Sequence, residues 1–295
     1  MKWNTSRFTI DLTRPKVMGI VNVTPDSFSD GGQHTTTRSA LRHCETLLRD
    51  GADILDIGGE SSRPGAAPVP LQEELARVLP VLRQAVGLGV PVSVDTCKPE
   101  VMQAALDLGV DIINDIWALR RSPLQSGAGS LDARQVVCGH GSCGVCLMHM
   151  HSEPQTMQMR PMSGDVVPQV LSFLERTALY LQGLGVDKHR IVLDPGIGFG
   201  KTMEQNFALL GRQREWIGPH YPVLVGWSRK SSLARLFEEA GTDPHARRRH
   251  PLMVASVAAA VLAIERGASI VRVHDVRETV QALRVVHAIR SVADK

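Results

Sequence analysis

No stretch of the 295-residue chain approaches the ~18 consecutive apolar residues that a membrane-spanning helix needs, so no membrane partner is expected. The first residues, MKWNTSRFTIDL, lack a continuous apolar core and do not read as a secretory signal. Charge of one sign is scarce as well: 33 basic residues face 30 acidic ones, a net charge of +3. The one dense basic cluster, Arg247–His250, reads as a solvated loop, and nucleic acid is not an expected partner. Cysteine is sparse and odd in number, five in all, which argues for free thiols in a reducing, cytoplasmic setting. What is plentiful is apolar residue: 43% hydrophobic against 21% charged is enough to fill a substantial globular core.

Short β-branched runs alternate with amphipathic segments along the whole chain. Candidate strands are Val17–Asn22, Ile54–Gly58, Val92–Asp95, Asp111–Asn114, Val145–Met148, Ile191–Asp194, Val223–Gly226 and Ile270–Val273. Each is apolar at nearly every position and reads as buried on both faces. Between them lie helical patterns such as Leu71–Val86, where Leu71, Leu75, Val78, Leu79 and Leu82 recur at helical spacing. Ala104–Leu108, Val167–Leu184, Phe207–Trp216, Val254–Glu265 and Val276–Ile289 behave alike. Eight such units admit an open doubly wound sheet or a closed (β/α)8 barrel, and the count and length favour the α/β TIM barrel. Residues 1–16 then form an N-terminal extension, read as a short hairpin, and residues 17–295 a single domain. Residues 120–130 read as a long loop inside it.

A barrel of this kind collects its chemistry at the C-terminal ends of its strands. Here the strands end in Asn22, Asp95, Asn114 and Asp194, then in Ser228-Arg229-Lys230-Ser231 and in Arg272 and His274. Carboxylates and carboxamides can read a polar heterocycle, while Lys, Arg and His can hold an anion. IVLDPGIGFGKT (191–202) resembles a phosphate loop but fits neither template. Only Ile197, Gly198 and Phe199 separate Gly196 from Gly200-Lys201, one residue too few for a Walker loop, and the glycines do not follow the dinucleotide spacing. Asp194 is therefore the expected site residue, with the glycines letting backbone approach a bound ligand closely.

Eight segments together resemble the dihydropteroate synthase family. They are VMGIVNVTPDSFSDGG (17–32), DILDIGGESSRPGA (53–66), VSVDTCKPEV (92–101), IINDI (112–116), VCLMHM (145–150), VLDPGIGFGK (192–201), VGWSRKS (225–231) and IVRVHDV (270–276). The resemblance implies a pterin-binding TIM barrel that joins a dihydropterin methyl diphosphate to 4-aminobenzoate in folate synthesis, with sulfonamides competing for the aminobenzoate site. It implies Mg2+ at Asn22, a hard oxygen donor. Asp95, Asn114, Met148, Asp194, Phe199, Lys230 and Arg272 are implied for the pterin, and Ser62, Pro64, Phe199, Lys230 and Ser231 for the aminobenzoate. Arg63, Arg272 and His274, with Asn22, are implied for the diphosphate, and Asp95, Lys230 and Arg63 for catalysis. The loops Thr24–Gly32 and Gly59–Gly65 are expected to close over the site and exclude water. A homodimer is the family expectation.

Two departures stand out. Ser61-Ser62 replaces the family's usual Ser-Thr, which keeps the hydroxyl and removes a methyl group. Ala255 stands where many members have glycine before Ser256, a packing variation expected to have no bearing on chemistry. Three other readings compete. CGHGSCGVCLMHMH (138–151) has the composition of a zinc set, but one Cys-x-x-Cys without a second pair is a weak signal, and buried thiols with loop histidines are the expectation. A methyltetrahydrofolate-binding corrinoid methyltransferase of the same superfamily would share the strand-end Asp and Asn residues without needing a diphosphate grip. A non-catalytic pterin-binding module is opposed by the completeness of the site.

Overall fold

The computed structural model describes residues 1–24, 32–63, 65–121, 131–218, 220–238 and 250–293. Most of the loop between Thr24 and Gly32, Pro64, much of the loop after Arg120 and the Arg247–Arg249 cluster lie outside the described residues. β1 (Lys2–Asn4) and β2 (Thr9–Asp11) pair as an antiparallel hairpin. The next eight strands run parallel: β3 (Lys16–Asn22), β4 (Ile54–Gly58), β5 (Val92–Asp95), β6 (Ile112–Asp115), β7 (Gly144–Met148), β8 (Ile191–Asp194), β9 (Leu224–Val225) and β10 (Ile270–Val273). Their order in the sheet is β8-β7-β6-β5-β4-β3-β10-β9. A parallel bridge between Leu193 and Val223 joins the two ends, so the sheet closes into a barrel.

Around it lie α1 (Gly32–Asp50), α2 (Leu71–Ala85), α3 (Pro99–Asp107), α4 (Ala133–His140), α5 (Val166–Gly183), α6 (Met203–Gly211), α7 (Gln213–Trp216), α8 (Ser231–Glu238), α9 (His250–Glu265) and α10 (Val276–Ala293). Local chemistry starts several of them. Asp132 accepts from two amides of α4, and Thr202 and Gln205 cap α6 reciprocally. The apolar pattern over Phe207–Trp216 reads as one helix, but Gly211 ends α6 and the chain restarts as α7, consistent with glycine's poor helix propensity. β6 runs one residue further than its pattern predicts, to Asp115, and β9 is shorter.

Strand side chains alternate between faces, so each strand divides its residues between the helices and the barrel interior. Val17, Leu55, Ile57, Val92, Val94, Ile113, Val145, Leu147, Ile191, Leu193, Val271 and Val273 belong to the large outer core under the helices. The opposite set begins with Met18, Ile54, Ile112, Cys146, Val192, Leu224 and Ile270, a second apolar cluster that fills the base of the barrel. The hairpin seals that base: Trp3, fully buried, with Ile10 and Leu12, joins the cluster, and Trp3 Nε1 donates to the Arg190 carbonyl at 2.9 Å. Arg7 fastens the hairpin by donating from Nε and Nη2 to the buried carboxylate of Asp111. With the base plugged by hydrocarbon, only the opposite end of the barrel is left for polar side chains.

Candidate active site

One step above the apolar floor, the same inward register becomes polar. Continuing by twos from Ile54, Ile112, Val192 and Ile270 reaches Asp56, Asn114, Asp194 and Arg272, and β5 contributes Ser93 and Asp95. Pairing places Asn22, Gly58, Asp95 and Asn114 side by side across β3 to β6, and Met148 beside Asp194 on β7 and β8. Arg272 joins the groups together. Its Nε donates to Asp56 Oδ2 and its Nη2 to Asp95 Oδ2, each at 2.6 Å, and Asn114 Nδ2 donates to the same Asp56 oxygen at 3.2 Å. Asp56 Oδ1 and Ser93 Oγ are buried without a hydrogen-bond partner, so polar capacity remains here for a ligand.

Burial controls the charges. It pushes Asp95 up to about 7, against the pull of Arg272 and with Asp56 adding to the rise. Asp194 rises to about 6 for the same reason, although its Oδ1 accepts from the Gly196 amide at 2.7 Å. Lys230 falls to about 8 by burial, with Asp194 opposing. Its Nζ sits 4.3 Å from the centre of the Phe199 ring, a cation–π contact. Phe199 packs with Met148, Met150 and Met157 in a small apolar cluster that Ile116 and Trp117 complete. Trp117 is set by a tight turn in which Asp115 accepts from the amides of Trp117 and Leu119, with Ala118 and Leu119 held at positive φ.

A basic side lies on β10 and the segment after β9. Ser228 Oγ is 2.9 Å from His274 Nδ1 and accepts from the His274 amide. Burial, then the positive charges of Arg229, Arg272, Arg63 and Lys230, push His274 down to about 3, so it is neutral near pH 7. Arg229 turns the chain at positive φ, with its amide held by Ser256 Oγ on α9 and its guanidinium by Asp275. Ser256 therefore bears on the site, because it stabilises the turn that presents Lys230. Ser231 is exposed as the first residue of α8. Ser62 and Asp95 line one cleft of about 380 Å³ with Trp117 and Arg121, and Arg63 is exposed beside it. Asn22 is half-buried at the end of β3.

The glycines of the 196–200 turn serve a different partner from the one expected. A Cβ on Gly196 would stand 1.9 Å from the His149 carbonyl oxygen, and one on Gly200 would stand 2.4 Å from that of His151. Both adopt positive φ. They let the turn lie against the backbone after β7; Gly198, between them, faces the Lys230 side chain. The close approach is therefore to protein, with no ligand needed to explain it. The Cys/His stretch is likewise engaged elsewhere. Cys146 belongs to the barrel floor, Cys143 Sγ lies 3.4 Å from Arg190 Nη2, and His149 Nδ1 lies 2.9 Å from Lys201 Nζ. Among the described residues, no group of three His, Cys, Asp or Glu side chains could hold a metal ion.

Over residues 18–274 the chain matches the pterin binding enzyme family. It is 48% identical to the dihydropteroate synthase of Neisseria meningitidis serogroup C, covering 97% of each chain. The chain belongs to the dihydropteroate synthases. Among solved structures of that family, it resembles the Burkholderia cenocepacia enzyme complexed with 7,8-dihydropteroate. There the TM-score is 0.85 at 46% identity, covering 99% of this chain and 98% of the other. It also resembles the Yersinia pestis dihydropteroate synthase in a sulfonamide drug complex, with TM-score 0.86 and 42% identity over 99% and 100%. Sequence reasoning places Asp95, Asn114, Asp194, Lys230, Arg272 and His274 at this end of the barrel, and the structure gathers them there. It misses Asp56 and Ser93, whose only signal is a polar residue at an inward position of an apolar strand. It also misses the roles of Ser228 and Ser256.

Proposed function

We propose that the chain condenses (7,8-dihydropterin-6-yl)methyl diphosphate with 4-aminobenzoate, giving 7,8-dihydropteroate and diphosphate in folate synthesis. One observation carries the reading: a layer of acceptors, buried Asp56, Asn114 and Asp194 with half-buried Asp95, meets a group of cations, Arg272, Lys230 and Arg63, beside a neutral His274. The pterin ring's N–H groups and exocyclic amine are donors that match the acceptors. Met148 and Phe199 supply its apolar walls, and Lys230 and Arg272 complete its surroundings. The diphosphate takes Arg63, Arg272 and His274, with arginine suited to paired contacts with phosphate oxygens.

The C–O bond to diphosphate breaks with its electron pair, leaving positive charge at the pterin methylene. Asp95 stabilises that charge from the end of β5. The amine of 4-aminobenzoate then forms the new C–N bond and loses a proton. Its ring lies against Phe199, near Lys230, Ser62 and Pro64, and its carboxylate is met by Ser231 at the start of α8, where unpaired amides favour anions. Asn22 fits Mg2+: it is a hard oxygen donor with no carboxylate cage among the described residues, as suits an ion that relies on substrate phosphates. Bound there, Mg2+ would neutralise charge on the leaving diphosphate.

The methyltransferase reading gives the cation group no task, and the synthase reading is preferred for that reason. We further infer that residues 17–295 act as one pterin-binding unit with residues 1–16 as its extension. A homodimer is supported by exposed Val254 and Leu262 on α9 and Val285, Ile289 and Val292 on α10. A cytoplasmic location accords with five free cysteines and with the absence, among the described residues, of any helix long and apolar enough to cross a membrane. The test is calorimetric titration with pterin diphosphate, with and without Mg2+ and 4-aminobenzoate, alongside a direct assay for dihydropteroate. Binding that is indifferent to the diphosphate group, with no product formed, would overturn the reading.

A further inference from the structure

Lys201 is 2% exposed, yet its ammonium has no carboxylate within hydrogen-bond distance among the described residues. Its Nζ lies 2.9 Å from His149 Nδ1 and from the Gly196 carbonyl oxygen, 3.1 Å from that of Phe199 and 3.3 Å from that of His149. These acceptors come from two different segments, the end of β7 and the turn after β8. The segments touch closely only because Gly196 and Gly200 carry no side chain. The turn also carries Phe199, over whose ring Lys230 sits.

A buried ammonium is costly, so its retention here calls for a task that a neutral side chain cannot perform. Three N–H donors on one atom, strengthened by charge, can join several carbonyl oxygens that an apolar or amide side chain could not reach together. The local charges are arranged to match. Burial, then Lys201 and Arg120, push His149 down to about 2, so the ring is neutral, and because an ammonium can only donate, Nδ1 is the acceptor of the pair. Burial and Lys230 depress Lys201 to about 7, while Asp194 supports its charge.

We propose that Lys201 is a positioning residue: its ammonium, seated on His149, fixes the Gly196–Phe199 turn and so sets Phe199 as the platform for Lys230 and the aminobenzoate ring. The proposal rests on the synthase reading above. It separates the two substrates. Phe199 and Lys230 border the pterin too, but its polar contacts Asp95, Asn114 and Asp194 stand on strands that the barrel holds, whereas the aminobenzoate site is made from the turn and the start of α8.

The experiment is steady-state kinetics of Lys201→Met and His149→Phe beside the wild-type enzyme, with sulfonamide titration and thermal melts. In Lys201→Met, the KM for 4-aminobenzoate and the sulfonamide Kd should rise about tenfold or more, as loss of a charge-assisted hydrogen bond implies, and the KM for pterin diphosphate should change less than about threefold. His149→Phe keeps a ring beside Phe173 and removes one acceptor. It should move the same two constants in the same direction by about threefold, and it carries the test if the methionine variant does not fold. Unchanged aminobenzoate and sulfonamide constants in a folded variant would overturn the proposal, as would equal rises for both substrates. A wild-type enzyme that makes no dihydropteroate would instead remove the synthase reading.

Discussion

Arg272 Nη2 donates to Asp95 Oδ2 at 2.6 Å across the barrel interior, between strands that β3 and β4 separate in the sheet. Arg272 therefore cannot turn fully to a diphosphate without loosening its hold on Asp95. Because Arg272 opposes the rise in the Asp95 pKa, on the proposed reaction its contact keeps the carboxylate ionised until positive charge develops at the pterin methylene.

From this relationship, Asp95→Asn should lower kcat by about a hundredfold or more, the size of effect seen when a charge-stabilising group is removed. Its KM for pterin diphosphate should rise by much less than its kcat falls. On the proposed reading, Asp194, whose Oδ1 is already tied to the Gly196 amide, is a pterin acceptor. Asp194→Asn should mainly raise that KM, because an amide replaces an acceptor oxygen with a donor. Steady-state kinetics of both variants decide the matter, and matching losses of rate and binding in the two would sink the division of roles.

The hairpin gives a prediction about stability alone. Trp3 is fully buried in the barrel floor, at the end away from Asp95 and Lys230. Trp3→Ala should cost about 3–5 kcal/mol in folding free energy, as large aromatic truncations in cores do. Both KM values should stay near wild type at low temperature. Chemical denaturation together with kinetics is the check, and an unchanged denaturation midpoint would show that the hairpin does not brace the barrel.

How much of this is readable in the sequence alone depends on the range of each cause. Asp95, Asn114 and Asp194 can be found from sequence because a polar residue ending an apolar strand is a local signal. Asp56 is harder: within Ile54–Gly58 a single carboxylate in an apolar run could face either side, and only the closed register turns it toward Arg272. Gly196 and Gly200 invite a ligand-based reading because their actual neighbours, the carbonyls of His149 and His151, belong to a distant segment. Ser256 is hidden for the same reason, since its partner is the amide of Arg229. Long-range contacts of single atoms leave no trace in local pattern.

His149 makes stability depend on pH in a direction that can be worked out. Its folded pKa of about 2 lies below the ordinary 6.5, so in acid the unfolded chain takes up a proton that the folded protein refuses. The contribution is intact above 6.5 and is lost as pH falls below it, by about 2 kcal/mol between pH 6.5 and 5. Asp95 and Asp194 act with the opposite sign, because their raised values make the folded state hold protons that the unfolded chain releases. The informative quantity is therefore the stability difference between wild type and His149→Phe, followed by urea denaturation from pH 7.5 to 5. It should narrow by about 2 kcal/mol on acidification. A constant difference would mean that His149 titrates as it does in the unfolded chain.

The last prediction concerns the order in which the site fills. Arg229, Arg272, Arg63 and Lys230 all bear on His274, and together with burial they drive its pKa to about 3. Arg229 is paired with Asp275, and an anion would complement the others. Arg272 is meanwhile occupied by Asp56 and Asp95. The aminobenzoate side borders this same group, through Lys230 over Phe199, through Ser231 and through the exposed Arg63. A diphosphate that gathers Arg63, Arg272 and His274 would settle these borders before the second substrate enters. Sulfonamides should therefore bind the free enzyme weakly and bind at least about tenfold more tightly once pterin and magnesium diphosphate are present, a coupling of ordinary size for linked sites. Linkage requires the drug to tighten diphosphate retention by the same factor. Titration of a sulfonamide into the enzyme with and without pterin and magnesium diphosphate measures the first factor, and diphosphate release with and without drug measures the second. Equal sulfonamide affinity in the two titrations would mean that the pocket is complete before the anion binds, and the electrostatic account of its assembly would fall.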